Sequence, residues 1–128
     1  MSVPLAAFAA VGIGAAIGAW MRWALGLAFN HLLPTLPLGT LAANLIGGYL
    51  IGIAVAFFEG AGHLAPEARL FVVTGFLGGL TTFSTFSGEA VALVAEGKPG
   101  WALAHIASHL IGSLALTALG IFTVRAIV

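Results

Sequence analysis

The stretch Gly78-Gly79-Leu80-Thr81-Thr82-Phe83-Ser84-Thr85-Phe86 concentrates the chemistry of this chain. Two adjacent glycines precede six residues that carry four hydroxyls, and Ser and Thr offer the backbone hydrogen bonds that compete with those of a helix. A regular helix is not expected to run through it. Carbonyls released at such a break can bind a cation, and released N–H groups can bind an anion. Phe83 and Phe86 stand three positions apart, on one side where the helix resumes. Their spacing suits simple lipid or core contact. It also suits a second role, because aromatic ring edges carry partial positive charge and two rings turned edge-on solvate a small anion without a cationic side chain.

Other polar residues extend this set. Asn44 lies one turn after Thr40 and one turn before Gly48 in an apolar stretch. A buried amide without partners costs several kcal/mol, so Asn44 must either bridge two helices or present its N–H groups to a polar path. His105, His109, Ser113 and Thr117 recur every four residues and share one helical face, with Ser108 beside them. That face is either glue between helices or the lining of a pore. His105 and His109 have the spacing of two metal ligands, but no His-Glu-x-x-His pattern or further ligand accompanies them. Arg22 and Glu89 are the charges deepest in apolar sequence; Arg22 can snorkel to the interface, and Glu89 belongs near a vestibule. No Ser–His–Asp order, paired carboxylates or phosphate loop is present, and no enzymatic chemistry is expected.

The elements that must hold these residues follow from composition. Of 128 residues, 61% are hydrophobic and 6% charged, against about 25% charged in soluble domains, so the solvent of this chain must be lipid. Four Lys plus Arg leave no basic patch for nucleic acid, and the absence of cysteine removes disulfides and thiol chemistry. Apolar stretches run from about Pro4 to Asn30, Gly39 to Phe58, Arg69 to Val94 and Trp101 to Arg125. About 20 helical residues cross the ~30 Å hydrocarbon layer, so each is long enough to span it. Met1-Ser2-Val3-Pro4 has no basic region, and the run after it is too long for a signal peptide, so a retained helix is expected. Turn residues fill the connectors: Pro34 and Pro37, then Gly60, Gly62 and Pro66, then Glu96-Gly97-Lys98-Pro99-Gly100. Residues 1–128 thus read as a single transmembrane domain of four helices, the third broken mid-membrane.

Eighteen glycines would weaken helices in water, but in lipid the pairs Gly14/Gly18, Gly48/Gly52 and Gly75/Gly79 permit close helix approach. Orientation is undetermined by charge. Arg69 and Arg125 fall on one side, Lys98 and Arg22 on or nearer the other, so the bias that sets topology is two against two. Insertion both ways would allow an antiparallel dimer about a two-fold axis in the membrane plane, and four thin helices can hardly enclose a polar path alone.

The motif Gly75-Phe76-Leu77-Gly78-Gly79-Leu80-Thr81-Thr82-Phe83-Ser84-Thr85-Phe86-Ser87 resembles the signature of the Fluc (CrcB) fluoride channels. Gly39-Thr40-Leu41-Ala42-Ala43-Asn44-Leu45-Ile46-Gly47-Gly48 and Gly18-Ala19-Trp20-Met21-Arg22-Trp23 resemble it too. The resemblance implies a dual-topology antiparallel homodimer in a bacterial inner membrane, with two fluoride pores and a central sodium ion. The sodium would be held by backbone carbonyls of Gly78 and Thr81 from both subunits. The pore would use Phe83 and Phe86 as an aromatic box and Asn44 as a donor, with Thr82, Ser84 and Thr85 beside them and His109 and Ser113 on the fourth-helix track. Glu89 matches a vestibule carboxylate, and Arg22 a positive charge near the entrance. A proton-coupled exporter resembling the small multidrug resistance proteins would need a carboxylate in the first helix, which holds only Arg22. A purely structural subunit would need neither the polar rows nor the break.

The family's track is mainly hydroxyl residues, so His105 and His109 are a departure. A neutral histidine would serve there as a hydrogen-bond donor, whereas a protonated one would place a cation beside the pore and tie conduction to pH. His109→Ser is therefore expected to alter fluoride flux from proteoliposomes between about pH 5 and 8. An unchanged profile would remove any special role for the imidazole.

Overall fold

Each apolar stretch folds as a helix because lipid supplies no partners for backbone N–H and C=O groups, which must be satisfied within the segment. The computed structural model describes residues 3–128, all helix and turn, with Met1 and Ser2 outside the described residues. Helix α1 is Leu5–Phe29, followed by a single 3-10 turn, Asn30–Leu32. Helix α2 is Leu38–Glu59. Residues 66–80 form α3, which starts as Pro66–Arg69, widens into π-type turns over Leu70–Leu77 and closes with Gly78–Leu80. Helices α4, Ser84–Ala95, and α5, Pro99–Ile127, complete the chain. Four stretches are long and apolar enough to cross a bilayer: Leu5–Leu32, Leu38–Glu59, Pro66–Ala95 and Pro99–Ile127. They coincide with the predicted spans to within a few residues at each end. The protein is an all-α, multi-pass membrane protein.

The ends of these helices are fixed by local chemistry. Asn30 reaches across the first connector, and its Oδ1 accepts from the N–H groups of Gly39 (2.8 Å) and Thr40 (3.1 Å), two donors orphaned at the start of α2. Gly97 ends α4 at φ 77°, a backbone conformation that costs a side-chain-bearing residue about 1–2 kcal/mol. The N–H of Lys98 returns to the Leu93 carbonyl and that of Gly97 to Val94, after which Pro99 opens α5 where a missing N–H does no harm.

Packing is inverted relative to a soluble domain. Large apolar side chains such as Phe8, Trp20, Trp23, Leu103 and Phe122 face outward, while the largest fully buried side chains are Leu80 and His105. Two glycine seams hold the helices together. Along α1 and α3, Gly14 and Gly18 meet the backbone of Phe71, Gly75 and Phe76, and Gly75 and Gly79 meet that of Val11 and Ala15. Along α2 and α5, Gly52 meets the Thr117 carbonyl and Gly120 that of Tyr49. Here α3 packs on α1 while α4 packs on α5, so the third span changes partner helix partway along.

A methyl group at Gly18 would collide with the Phe76 carbonyl, and backbone cannot step aside as a flexible side chain can. Gly18→Ala is expected to cost about 1–3 kcal/mol, the range for overpacking. Gly12→Ala on the same helix meets nothing within 4 Å and should fall within about 0.5 kcal/mol of the native chain. Unfolding of the two variants in detergent, compared with the native protein, checks the contrast.

Candidate functional site

The site is organised by the three residues between α3 and α4. Helical bonding holds as far as Thr81, whose N–H reaches the Leu77 carbonyl at 3.0 Å while its hydroxyl donates to the same oxygen at 2.8 Å. Thr81 then turns extended, at φ −87° and ψ 159°. Regular bonding resumes with the Ser87 N–H on the Phe83 carbonyl at 2.8 Å.

Asn44 of α2 fills the gap. Its Oδ1 accepts from the Thr82 N–H at 2.8 Å, and its Nδ2 donates to the Thr82 carbonyl at 2.9 Å. One carboxamide thus pairs with both polar groups of a single peptide residue. The Thr82 hydroxyl, one residue before the Phe83 N-cap, accepts from the Thr85 N–H at 3.1 Å and satisfies one of the donors orphaned at the start of α4. These bonds have a consequence for the carbonyls upstream. In a continuous helix Gly78 would receive the Thr82 N–H and Thr81 the Thr85 N–H. Both donors are diverted. The intervening Gly79 carbonyl would receive the Phe83 N–H, and instead accepts from Arg22 Nε at 3.0 Å. The half-buried Arg22 is thereby tied to the interruption, since a cation in an apolar span gains from a freed carbonyl.

Beyond the break lies a ring cluster. Phe83 and Phe86 meet edge to face, with centroids 5.7 Å apart at 69°. Phe86 packs on His109 at 4.5 Å and on His105 at 5.2 Å, and the two imidazoles are 4.4 Å apart. Both histidines are buried. His109 Nδ1 lies 3.0 Å from Asn44 Nδ2, and His105 Nε2 lies 3.3 Å from Glu89 Oε1. Glu89 Oε2 accepts from the buried Thr40 hydroxyl at 2.9 Å. Glu89 Oε1, both nitrogens of His105 and Nε2 of His109 are buried without a hydrogen-bond partner.

Two clefts flank the break. One of about 480 Å³ brings together Asn44, Gly78, Thr81, Thr82, Phe83, Phe86, His109 and Ser113, eight of the residues singled out from sequence. The other, about 290 Å³, holds Arg22, Asn30, Thr40, Thr82 and Thr85, so Thr82 borders both. Ser84 is exposed and lines neither, and Thr85 sits on the Arg22 side rather than beside the rings. Glu89 is placed through Thr40 and His105 instead of lining either cleft. His105 belongs to the predicted polar row but is not assigned to the pore there, and Thr40 is not assigned to the site, although each is one helical turn from an assigned residue, His109 and Asn44. That spacing was available in the sequence; the reach of Glu89 to both was not. Thr117 is spent on packing, its hydroxyl lying 2.8 Å from the Gly48 carbonyl and 2.9 Å from that of Ser113.

Four helices long and apolar enough to cross a membrane thus gather their polar groups at the interruption between α3 and α4. Residues 9–121 match the family described as CrcB-like protein, Camphor Resistance (CrcB), and the chain belongs to that family. A relative from Cupriavidus pinatubonensis, named fluoride-specific ion channel FluC, is 64% identical over 118 residues, covering 92% of this chain and 94% of its own. Proteins of the same name from Nitrosospira multiformis and Pseudomonas putida are 61% and 59% identical, covering 94% and 89% of this chain and 94% and 90% of their own. These relatives are channels by name, not enzymes.

The double pairing of Asn44 with Thr82 makes Asn44→Leu, similar in volume but without the amide, a sensitive probe. It strands an N–H and a carbonyl, each worth about 1–3 kcal/mol when buried unpaired. A loss of about 2–5 kcal/mol in detergent unfolding is expected, and a change below about 0.5 kcal/mol would show that the amide does not hold the break.

Proposed function

We propose that this protein is a passive fluoride channel of a bacterial inner membrane, working as an antiparallel, dual-topology homodimer with two pores and a central structural sodium ion. The observation that carries the reading is the interruption at residues 81–83, held open by Asn44 beside the edge-on Phe83–Phe86 pair, in a chain closely similar to proteins named fluoride-specific channels. In this reading the third helix is broken mid-membrane, and the break serves two ions of opposite sign.

The donor set fits sodium. Gly78 and Thr81 are two positions whose usual helical donors are diverted, to Asn44 and to the Thr82 hydroxyl, while Arg22 already occupies the Gly79 carbonyl. Carbonyl oxygens are hard ligands suited to hard cations. Two per chain are too few, and a second copy related by a two-fold axis would double them. The sodium ion would supply positive charge to these carbonyls at the dimer centre. The single chain also leaves Phe83 79% exposed in the cleft wall, a ring that a second subunit would cover.

For fluoride, small and strongly hydrated, a path must replace water with weak donors in series that bind without trapping. Ring edges of Phe83 and Phe86 and polar groups of Thr82, His109 and Ser113, which line the larger cleft with Asn44, would form that series, with Thr85 on the Arg22 side, Ser84 at the exposed start of α4, and Arg22 and Glu89 toward the vestibules. Direction follows from chemistry outside the protein. Hydrogen fluoride enters membranes neutral and dissociates in a less acidic cytoplasm, which accumulates the anion. A potential negative inside favours anion exit by about 2.3 kcal/mol per 100 mV, so a passive pore suffices for resistance.

Purified protein reconstituted into liposomes loaded with fluoride should release it on collapse of the opposing potential, without a proton gradient and with chloride retained. Proton-coupled transport, equal chloride release or no flux would each reject the channel reading.

A further inference from the structure

The bonds around Asn44 fix where the ring proton of His109 sits. The orientation of its carboxamide is fixed, because a flipped amide would set N–H against the Thr82 N–H and oxygen against the Thr82 carbonyl. Nδ2 therefore faces both the Thr82 carbonyl at 2.9 Å and His109 Nδ1 at 3.0 Å. A carboxamide nitrogen only donates, and it has two hydrogens. Both are committed. His109 Nδ1 must be the acceptor, so the ring proton sits on Nε2.

That Nε2–H is buried without a partner in a residue only 4% exposed. Its ring lines the larger cleft with Phe83, Phe86, Thr82 and Ser113. Among the described residues none accepts a hydrogen bond from it. Phe86 covers it from α4 at 4.5 Å, Asn44 from α2 presents only N–H, and His105 on α5 stands edge to face at 4.4 Å. Glu89, the nearest carboxylate in the network, contacts His105 and Thr40 rather than His109. A buried N–H so placed is costly unless something else accepts from it.

We infer that Asn44 acts as a positioning residue that locks His109 in the Nε2–H tautomer, and that His109 Nε2–H is the donor this chain offers to an anion beside the aromatic pair. The role expected of Asn44 itself, donating directly to the anion, passes one step outward to the imidazole. The anion half of the inference rests on the channel reading above; the tautomer half rests on the hydrogen bonds alone. A neutral imidazole N–H gives fluoride a strong donor without the fixed cation that would trap it, which a transit site requires.

Solid-state ¹⁵N NMR of the full chain, labelled at histidine and reconstituted in lipid, reads the proton directly. His109, assigned by loss of its signals in His109→Gln, should show a bare Nδ1 and a protonated Nε2, and fluoride but not chloride should shift Nε2. Flux gives the second arm. His109→Phe keeps a ring against Phe86 and removes the donor, and should lower fluoride flux roughly tenfold or more, as loss of a hydrogen bond to a charged group implies. His109→Gln, which can accept from Asn44 through Oε1 and donate through Nε2, should restore most of it. A proton on Nδ1, a doubly protonated ring, or a fluoride-blind Nε2 in protein that still conducts would overturn this inference alone. Absence of flux in the native protein would reject it together with the channel reading.

Discussion

A membrane-buried backbone cannot leave its polar groups unpaired, and at Thr82 this constraint is met by one side chain from another helix. The Asn44 amide reproduces both halves of the peptide pairing that a helix would have provided, which lets the chain leave helical geometry for three residues without stranding Thr82. Every other feature of the site follows from that substitution. Because Thr82 pairs sideways, the Gly78 carbonyl is released; because its hydroxyl accepts from the Thr85 N–H, the Thr81 carbonyl is released as well. Because α4 starts afresh, it leaves the α1 seam and packs on α5, bringing Phe86 onto His105 and His109.

The glycine seams are what make this reach possible. A carboxamide spans only a few ångströms, so α2 must lie close to the break. Gly47 admits the Thr81 methyl group at the point where any side chain would displace it. On the opposite side, Gly18 and Gly79 bring α1 near enough for Arg22 to reach the Gly79 carbonyl. Small residues thus serve the polar network by setting helix distances, and their contribution to affinity between helices is inseparable from that geometry.

Much of this was legible in the residues themselves. Four spans, the glycine pairs and the segment around Gly78–Phe86 can be read from composition and spacing, since each depends on local sequence. The same holds for the α5 polar row, where spacing by four put His105, His109, Ser113 and Thr117 on one face. What spacing could not divide was their use: Ser113 and Thr117 both border the cleft but the Thr117 hydroxyl is tied to the Gly48 and Ser113 carbonyls, His109 meets Asn44, and His105 meets Glu89. Such assignments are set by which helix lies opposite, a tertiary fact. Arg22 is the plainest case. Its place along α1 is plain in the sequence, but the carbonyl fifty-seven residues away that accepts from it is not.

The placement of His109 shows how an imidazole is fitted into the polar face of α5. A hydroxyl at this position would be both donor and acceptor and could rotate to suit either neighbour. An imidazole is rigid, and each nitrogen of its neutral form has one role. Asn44, already oriented by Thr82, has a second N–H to give and so dictates which role each nitrogen takes. The bulk of the ring is accommodated by packing at a tilt on Phe86 and edge to face on His105 instead of by opening the bundle. The polarity at the cleft is therefore set by the backbone of Thr82, transmitted through Asn44 to the far side of an imidazole, and the break that frees the carbonyls also orients the donor.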